Sequence, residues 1–235
     1  VALIGNPNTG KTSLFNQLTG LNQKVGNYPG VTVDKKEGSS KLSSNLKAII
    51  TDLPGTYSIN PTSLDESIVL KTLLNSRYDK TPDIIVVVAD IENLKRNLLL
   101  FSQIKDLAIP TVLAINMADQ MKRKGITVDL ELLERELGNE VVLISVRKDK
   151  GKGVDEVKKA IVKTYDNAKA FPLCNVNNRI DPEYFDRLKE INPNYSIYEL
   201  WLMITQNSFP DKISEKEKEE LLAFKNDSKN IKKYQ

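Results

Sequence analysis

The stretch Gly5-Asn6-Pro7-Asn8-Thr9-Gly10-Lys11-Thr12 limits the architecture of this chain more than any other. It has the spacing G-x-x-x-x-G-K-[ST], and it lies between the apolar, β-branched run Val1–Ile4 and a segment of helical character. A polyphosphate carries dense negative charge. A loop with glycine at both ends can wrap it and turn backbone N–H groups inward, and the helix that follows adds its positive dipole end. Lys11 is then placed to reach the terminal phosphates and Thr12 to ligate Mg²⁺, with Ser13 next on the helix counted in the same set. A strand–loop–helix unit of this kind belongs in a parallel α/β sheet.

The rest of the chain agrees with that sheet. Apolar runs at Val1–Ile4, Lys47–Thr51, Asp83–Ala89, Thr111–Ile115 and Val141–Ser145 read as strands. Between them, Leu64–Leu74, Leu94–Leu107 and Val154–Ile161 carry apolar residues at helical intervals. Lys35–Asp52 breaks the alternation and predicts a hairpin that contributes one antiparallel strand. The fold class expected is α/β of the P-loop type: a mostly parallel six-stranded sheet with one antiparallel strand and helices on both faces. After about Asp166 the strand signals stop. Pro182–Ile191, Ser196–Gln206 and Ser214–Phe224 predict helices, the last with a Ser214–Glu217 capping-box spacing. Two units follow: a P-loop domain over residues 1–165 and a small C-terminal α-helical subdomain over 166–235.

Composition narrows the chemistry. There is no histidine, so a Ser-His-Asp hydrolase and a His-bound zinc site are excluded. The single cysteine, Cys174, rules out an intrachain disulfide and lacks metal-ligand partners. Lys and Arg number 34 against 31 Asp and Glu, a net charge of +3. Basic residues are dispersed: Lys216 and Lys218 alternate with Glu215, Glu217, Glu219 and Glu220, a solvated helix face and not a nucleic-acid patch. No nucleic acid partner is expected. No apolar run approaches the ~20 residues that span a bilayer. Val1 opens directly into a strand, as expected of a piece of a longer chain.

Which base accompanies the phosphates is read elsewhere. Asn116-Met117-Ala118-Asp119 follows an apolar strand and matches N-x-x-D, in which the Asp119 carboxylate can accept from guanine N1–H and the 2-amino group. Adenine lacks both donors, so it would leave the carboxylate unpaired, a mismatch worth ~10⁴-fold or more. Asp52-Leu53-Pro54-Gly55 matches D-x-x-G, with Asp52 on the Mg²⁺ side and the Gly55 N–H toward the γ-phosphate. In Val25–Val33, Gly30, Val31 and Thr32 form the candidate first switch, and the Thr32 hydroxyl is the candidate second Mg²⁺ ligand. Thr19, still on the first helix, is a weaker candidate. Ser145, Val146 and Arg147 follow the last strand and are placed to cradle the base through backbone N–H groups.

The element order resembles the translation-factor-related branch of P-loop GTPases. Gly-Asn-Pro-Asn-Thr-Gly-Lys-Thr-Ser-Leu-Phe-Asn, Val-Gly-Asn-Tyr-Pro-Gly-Val-Thr-Val and Asp-Leu-Pro-Gly-Thr-Tyr-Ser are similar to the FeoB family of bacterial ferrous-iron transport proteins. The resemblance covers roughly residues 1–165 by motif, and the helical tail by position and pattern. It implies GTP and GDP as ligands, a tail that acts as a guanine-nucleotide dissociation inhibitor, and a polytopic membrane domain outside this chain. It further implies a place on the cytoplasmic face of the bacterial inner membrane. It also implies that Asn8 helps to hold a K⁺ ion beside the phosphates. One departure from many GTPases is Thr56, which stands where a glutamine would orient the attacking water. Slow hydrolysis follows, carried by Lys11, Mg²⁺, Gly55 and backbone N–H groups, with K⁺ as an added charge. Two rivals stay open: an RNA-associated GTPase, and a scaffold that binds GTP without useful turnover. A homo-oligomer also stays open.

Overall fold

The computed structural model of the 235-residue chain describes residues 1–20, 23–27, 34–75, 82–147, 152–167, 182–211 and 213–227. Its strands are β1 (Ala2–Gly5), β2 (Gln23–Asn27), β3 (Asp34–Lys41), β4 (Lys47–Asp52), β5 (Ile85–Asp90), β6 (Thr111–Asn116) and β7 (Glu140–Leu143). They form one sheet in the order β2-β3-β4-β1-β5-β6-β7. β1 pairs in parallel with β4 and β5, and β5–β6 and β6–β7 are parallel too. β3 pairs antiparallel with both β4 and β2 and is the one strand that runs against the rest. The six expected strands are therefore present with the expected single reversal. A seventh, β2, joins the edge. Gln-Lys-Val-Gly-Asn holds one β-branched residue and a glycine, so it has little strand preference of its own; pairing with β3 supplies the structure.

The central strands β5 and β6 are buried almost throughout, as continuous apolar runs should be when helices cover both faces. Alternation along β5 divides the core. Val86 and Val88 point into one cluster with Leu14, Phe15 and Leu18 of α1 (Lys11–Thr19) and Val157 and Ile161 of α6 (Lys152–Asn167). Ile85, Val87 and Ala89 point into the other, with Val69, Leu70 and Leu73 of α2 (Leu64–Leu74) and Leu100, Phe101 and Ile104 of α3 (Leu94–Asp106). Two short helices, α4 (Gln120–Lys124) and α5 (Leu130–Leu137), connect β6 to β7. Neither was placed from the sequence: α4 is five residues long, and the helical spacing of Leu130, Leu133 and Leu137, which pack half-buried against the core in α5, was passed over.

Three helices follow: α7 (Pro182–Ile191), α8 (Ile197–Gln206) and α9 (Glu215–Asp227). Both N-termini with serine caps are closed reciprocally. Ser196 and Glu199 form a capping box, and Ser214 and Glu217 exchange the same pair of bonds at 2.9 and 3.2 Å. Tyr184, Phe185, Leu188, Leu200, Met203 and Leu221 join the cluster that already holds α2 and α3. Asn75, just beyond α2, exchanges two bonds with Asp211, at 2.9 and 3.2 Å. Burial raises the Tyr198 phenol well above its ordinary range, and the Asp106 carboxylate at the end of α3 adds to the shift. Among the described residues no helix is long and apolar enough to cross a membrane.

Candidate nucleotide-binding site

Because β1, β4, β5, β6 and β7 are mutually parallel, the segments that leave their carboxyl ends meet at one edge of the sheet. The loop after β1, the Asp52 end of β4, the Asn116 end of β6 and the Ser145–Arg147 turn after β7 all lie there. The loop after β1 is held close to the sheet: a Cβ at Gly5 would collide with the Val88 carbonyl. Gly10, at φ 88°, is in the left-handed region and caps α1 without a side-chain bond. The first N–H groups of α1 are thus left for a ligand.

Lys11 and Asp52 are both buried, and the Lys11 ammonium donates to the Asp52 carboxylate and to the Leu53 carbonyl. The Thr12 hydroxyl donates to the other Asp52 oxygen at 3.0 Å. A hydroxyl and a carboxylate side by side at a helix N-terminus form an oxygen donor set of the kind Mg²⁺ takes. Thr19 belongs elsewhere. It is buried, and its hydroxyl donates to the Phe15 carbonyl at 2.9 Å, one turn back in its own helix. Gly30, Val31, Thr32 and Cys174 lie outside the described residues. Asn8 is exposed in the loop with φ 67°.

At the other end Asn116 acts as a tie. Its Nδ2 donates to the Thr9 carbonyl at 2.8 Å and its Oδ1 accepts from the Val146 N–H at 3.1 Å. The phosphate loop and the base loop are therefore joined through one buried carboxamide. Of the three N–H groups in Ser145–Arg147, that of Val146 is already engaged by this bond. The Ser145 hydroxyl accepts from the Asp119 N–H at 3.0 Å, and Gln120 donates to the Asp119 carboxylate at 2.9 Å. Met117 adopts φ 63°, a left-handed turn that swings the chain from β6 toward Asp119, and its side chain packs on the core.

The loop after Asp52-Leu53-Pro54-Gly55 is gripped from two helices, and motif reading found neither grip. Glu66 on α2 accepts from the Thr56 hydroxyl at 3.0 Å, the Tyr57 N–H at 3.5 Å, and the Thr62 N–H and hydroxyl at 2.8 and 2.9 Å. Burial alone would raise the Glu66 carboxyl, but the bonds from Thr62, Thr56 and Tyr57 outweigh it and hold it below the usual carboxylate range. On α3, Gln103 Oε1 accepts from the Ser58 hydroxyl and the Ile59 N–H at 3.0 and 3.2 Å. The Arg96 guanidinium lies 4.2 Å from the Tyr57 ring centre. The spacing Ser63-Leu64-Asp65-Glu66 carried part of this signal: Ser63 caps α2 by accepting the Glu66 N–H. Which loop the Glu66 side chain would gather could not be read from spacing alone.

A sheet with one reversed strand, a glycine-bounded loop opening a helix, and D-x-x-G and N-x-x-D at the carboxyl ends of β4 and β6 on one edge of that sheet define a P-loop GTPase-type G domain. Residues 1–161 match the family described as Ferrous iron transport protein B, and the chain belongs to that family. It is 45% identical over 163 residues to the Fe(2+) transporter FeoB of Leptospira biflexa, covering 69% of this chain and 23% of that protein. It is 43% identical over 166 residues to that of Escherichia coli K12, covering 68% and 20%. The chain thus spans about a fifth of the length of these relatives. Among solved structures, it resembles the apo cytosolic domain of T. maritima FeoB with TM-score 0.78 and 30% identity, covering 95% of this chain and 84% of that one. A mutant of S. thermophilus NFeoB bound to GDP gives TM-score 0.74 and 34% identity, covering 95% and 87%.

Proposed function

We propose that this chain binds guanine nucleotide and slowly hydrolyses GTP, as the regulatory module of a longer protein that moves ferrous iron across the bacterial inner membrane. The observation that carries the reading is the Asn116 tie, which puts the phosphate loop and the guanine motif in one site. The T. maritima cytosolic domain in its GMPPNP form, with TM-score 0.75 and 30% identity over 99% of this chain, supports it.

In this reading Lys11 leaves Asp52 for the β- and γ-phosphates, and the α1 N–H groups and Gly55 N–H face the transferred group. Thr12, Asp52 and Thr32 would hold Mg²⁺, which when bound would neutralise phosphate charge. Water attacks the γ-phosphorus, the bond to the β–γ bridging oxygen breaks, and GDP and phosphate leave. Thr56 does not orient that water: its side chain is buried and its hydroxyl is committed to Glu66 and to the Ser58 carbonyl. This supports a low intrinsic rate. Asn8, exposed on the loop, is the side chain we assign to a K⁺ ion that adds the missing charge. The helices α7 to α9, which share a buried cluster with α2 and α3, would influence nucleotide release through that cluster.

Calorimetric titration of the chain with GDP and with ADP, in Mg²⁺, tests the reading. GDP binding with ADP binding at least a hundredfold weaker is the expected outcome. Equal binding, or none, would remove the guanine site and the GTPase with it.

A further inference from the structure

Gln17 stands on the second turn of α1, outside every motif. Its Nε2 donates to the carbonyl oxygen of Val146, 129 positions away. The Val146 backbone is thereby held from both sides, its N–H by Asn116 and its C=O by Gln17. A trans peptide is planar, so a carbonyl and the next N–H point in opposite directions. Drawing the Val146 carbonyl toward α1 turns the Arg147 N–H to the other side of the loop. The start of the loop is anchored by sheet-like bonds, Ile144 N–H to the Ile115 carbonyl at 2.8 Å and Ala118 N–H to the Ile144 carbonyl at 3.1 Å. Past Ile144, the loop is held by side chains: Ser145, Asn116 and Gln17.

Gln17 is itself exposed, so it fills no part of the core. Its polar contact is what it contributes. α1 is also the helix that carries Lys11 and Thr12, so the Gln17 bond makes the phosphate helix a support for the base loop.

We propose that Gln17 is a positioning residue for guanine recognition, holding the Ser145–Arg147 loop in place and so setting the rate at which GDP leaves. The inference rests on the guanine-nucleotide reading above. Loss of the bond lets the loop open more often, which raises the dissociation rate and leaves association nearly unchanged.

Gln17→Leu removes the donor at similar volume, and Gln17→Glu presents an acceptor to the carbonyl. With the full chain and a fluorescent GDP analogue, stopped-flow release should quicken about fivefold in both, the scale of one net hydrogen bond. The nucleotide-free melting temperature should fall by no more than a few degrees, as the loss of one net hydrogen bond allows, so that faster release does not reflect unfolding. Gln17→Lys, which restores a donor, should bring release back toward wild type. Release within twofold of wild type in both Gln17→Leu and Gln17→Glu, while wild type binds GDP, would overturn the proposal and leave the guanine reading intact. Failure of wild type to bind GDP would overturn both. Amide exchange in wild type gives a reading free of any variant: GDP should protect Arg147, and unchanged exchange there counts against the loop's role.

Discussion

Asn116 spends both ends of its carboxamide on backbone groups that belong to different loops. Removing it strands a buried carbonyl and a buried N–H, each worth ~1–3 kcal/mol when left without a partner. Asn116→Ala should therefore lower chemical-denaturation stability by about 2 kcal/mol and weaken GDP by tenfold or more in the same titration. A stable protein with unchanged GDP affinity would show that the tie does not shape the site. Asn8 makes a sharper test of chemistry, since it is exposed and its loss leaves no cavity. Phosphate release should be several-fold faster in K⁺ than in Na⁺, and Asn8→Ala should abolish the difference while retaining GDP binding. Equal rates in the two salts would dismiss the cation. At this scale the motif residues were legible because their chemistry is tied to fixed spacings. Gln17, Arg96 and Gln103 were not, because their partners are distant in sequence and nothing local marks them.

The loop between β4 and α2 shows the same contrast at the scale of elements. Its D-x-x-G start was visible; the serine cap of α2 at Ser63 was not singled out. The clamp of Glu66 and Gln103 was not visible, because it needs the packing of α2 and α3 against the sheet. Glu66→Gln should slow GTP hydrolysis several-fold and change GDP affinity by less than twofold, as measured by phosphate release and calorimetry. The Glu66 carboxyl is held low, so its stabilisation is present above the ordinary carboxylate range and is lost as the pH falls through its folded value. Amide exchange of residues 56–62 should accordingly quicken, relative to the intrinsic rate, on acidification below about pH 4. In Glu66→Gln that pH dependence should be absent. Strand β2 was missed for a different reason: its residues carry no strand preference, and its neighbour imposes the form. The helices α7 to α9 were legible from apolar spacing and caps alone.

At the scale of the molecule, the tail was expected as a second unit, yet its apolar residues enter the same cluster as β5, β6, α2 and α3. Spacing reveals that a helix has an apolar face but not which surface receives it. Leu200 is fully buried in that shared cluster. Leu200→Ala should cost ~2–5 kcal/mol and shift one cooperative transition of the entire chain, seen alike by circular dichroism and by Trp201 fluorescence. Two separated transitions would mean that the tail melts on its own. The interlock at the nucleotide edge has a further consequence, for how such a protein can change over generations. A side chain at Gly10 would collide with the Asn116 carboxamide, so two positions more than a hundred residues apart restrict each other's substitutions. Replacing Asp119 alone would leave a loop still moulded around Asn116. A lineage drifting from guanine toward another base would have to alter both motifs in concert, and single steps between the two states would pass through variants poor at either.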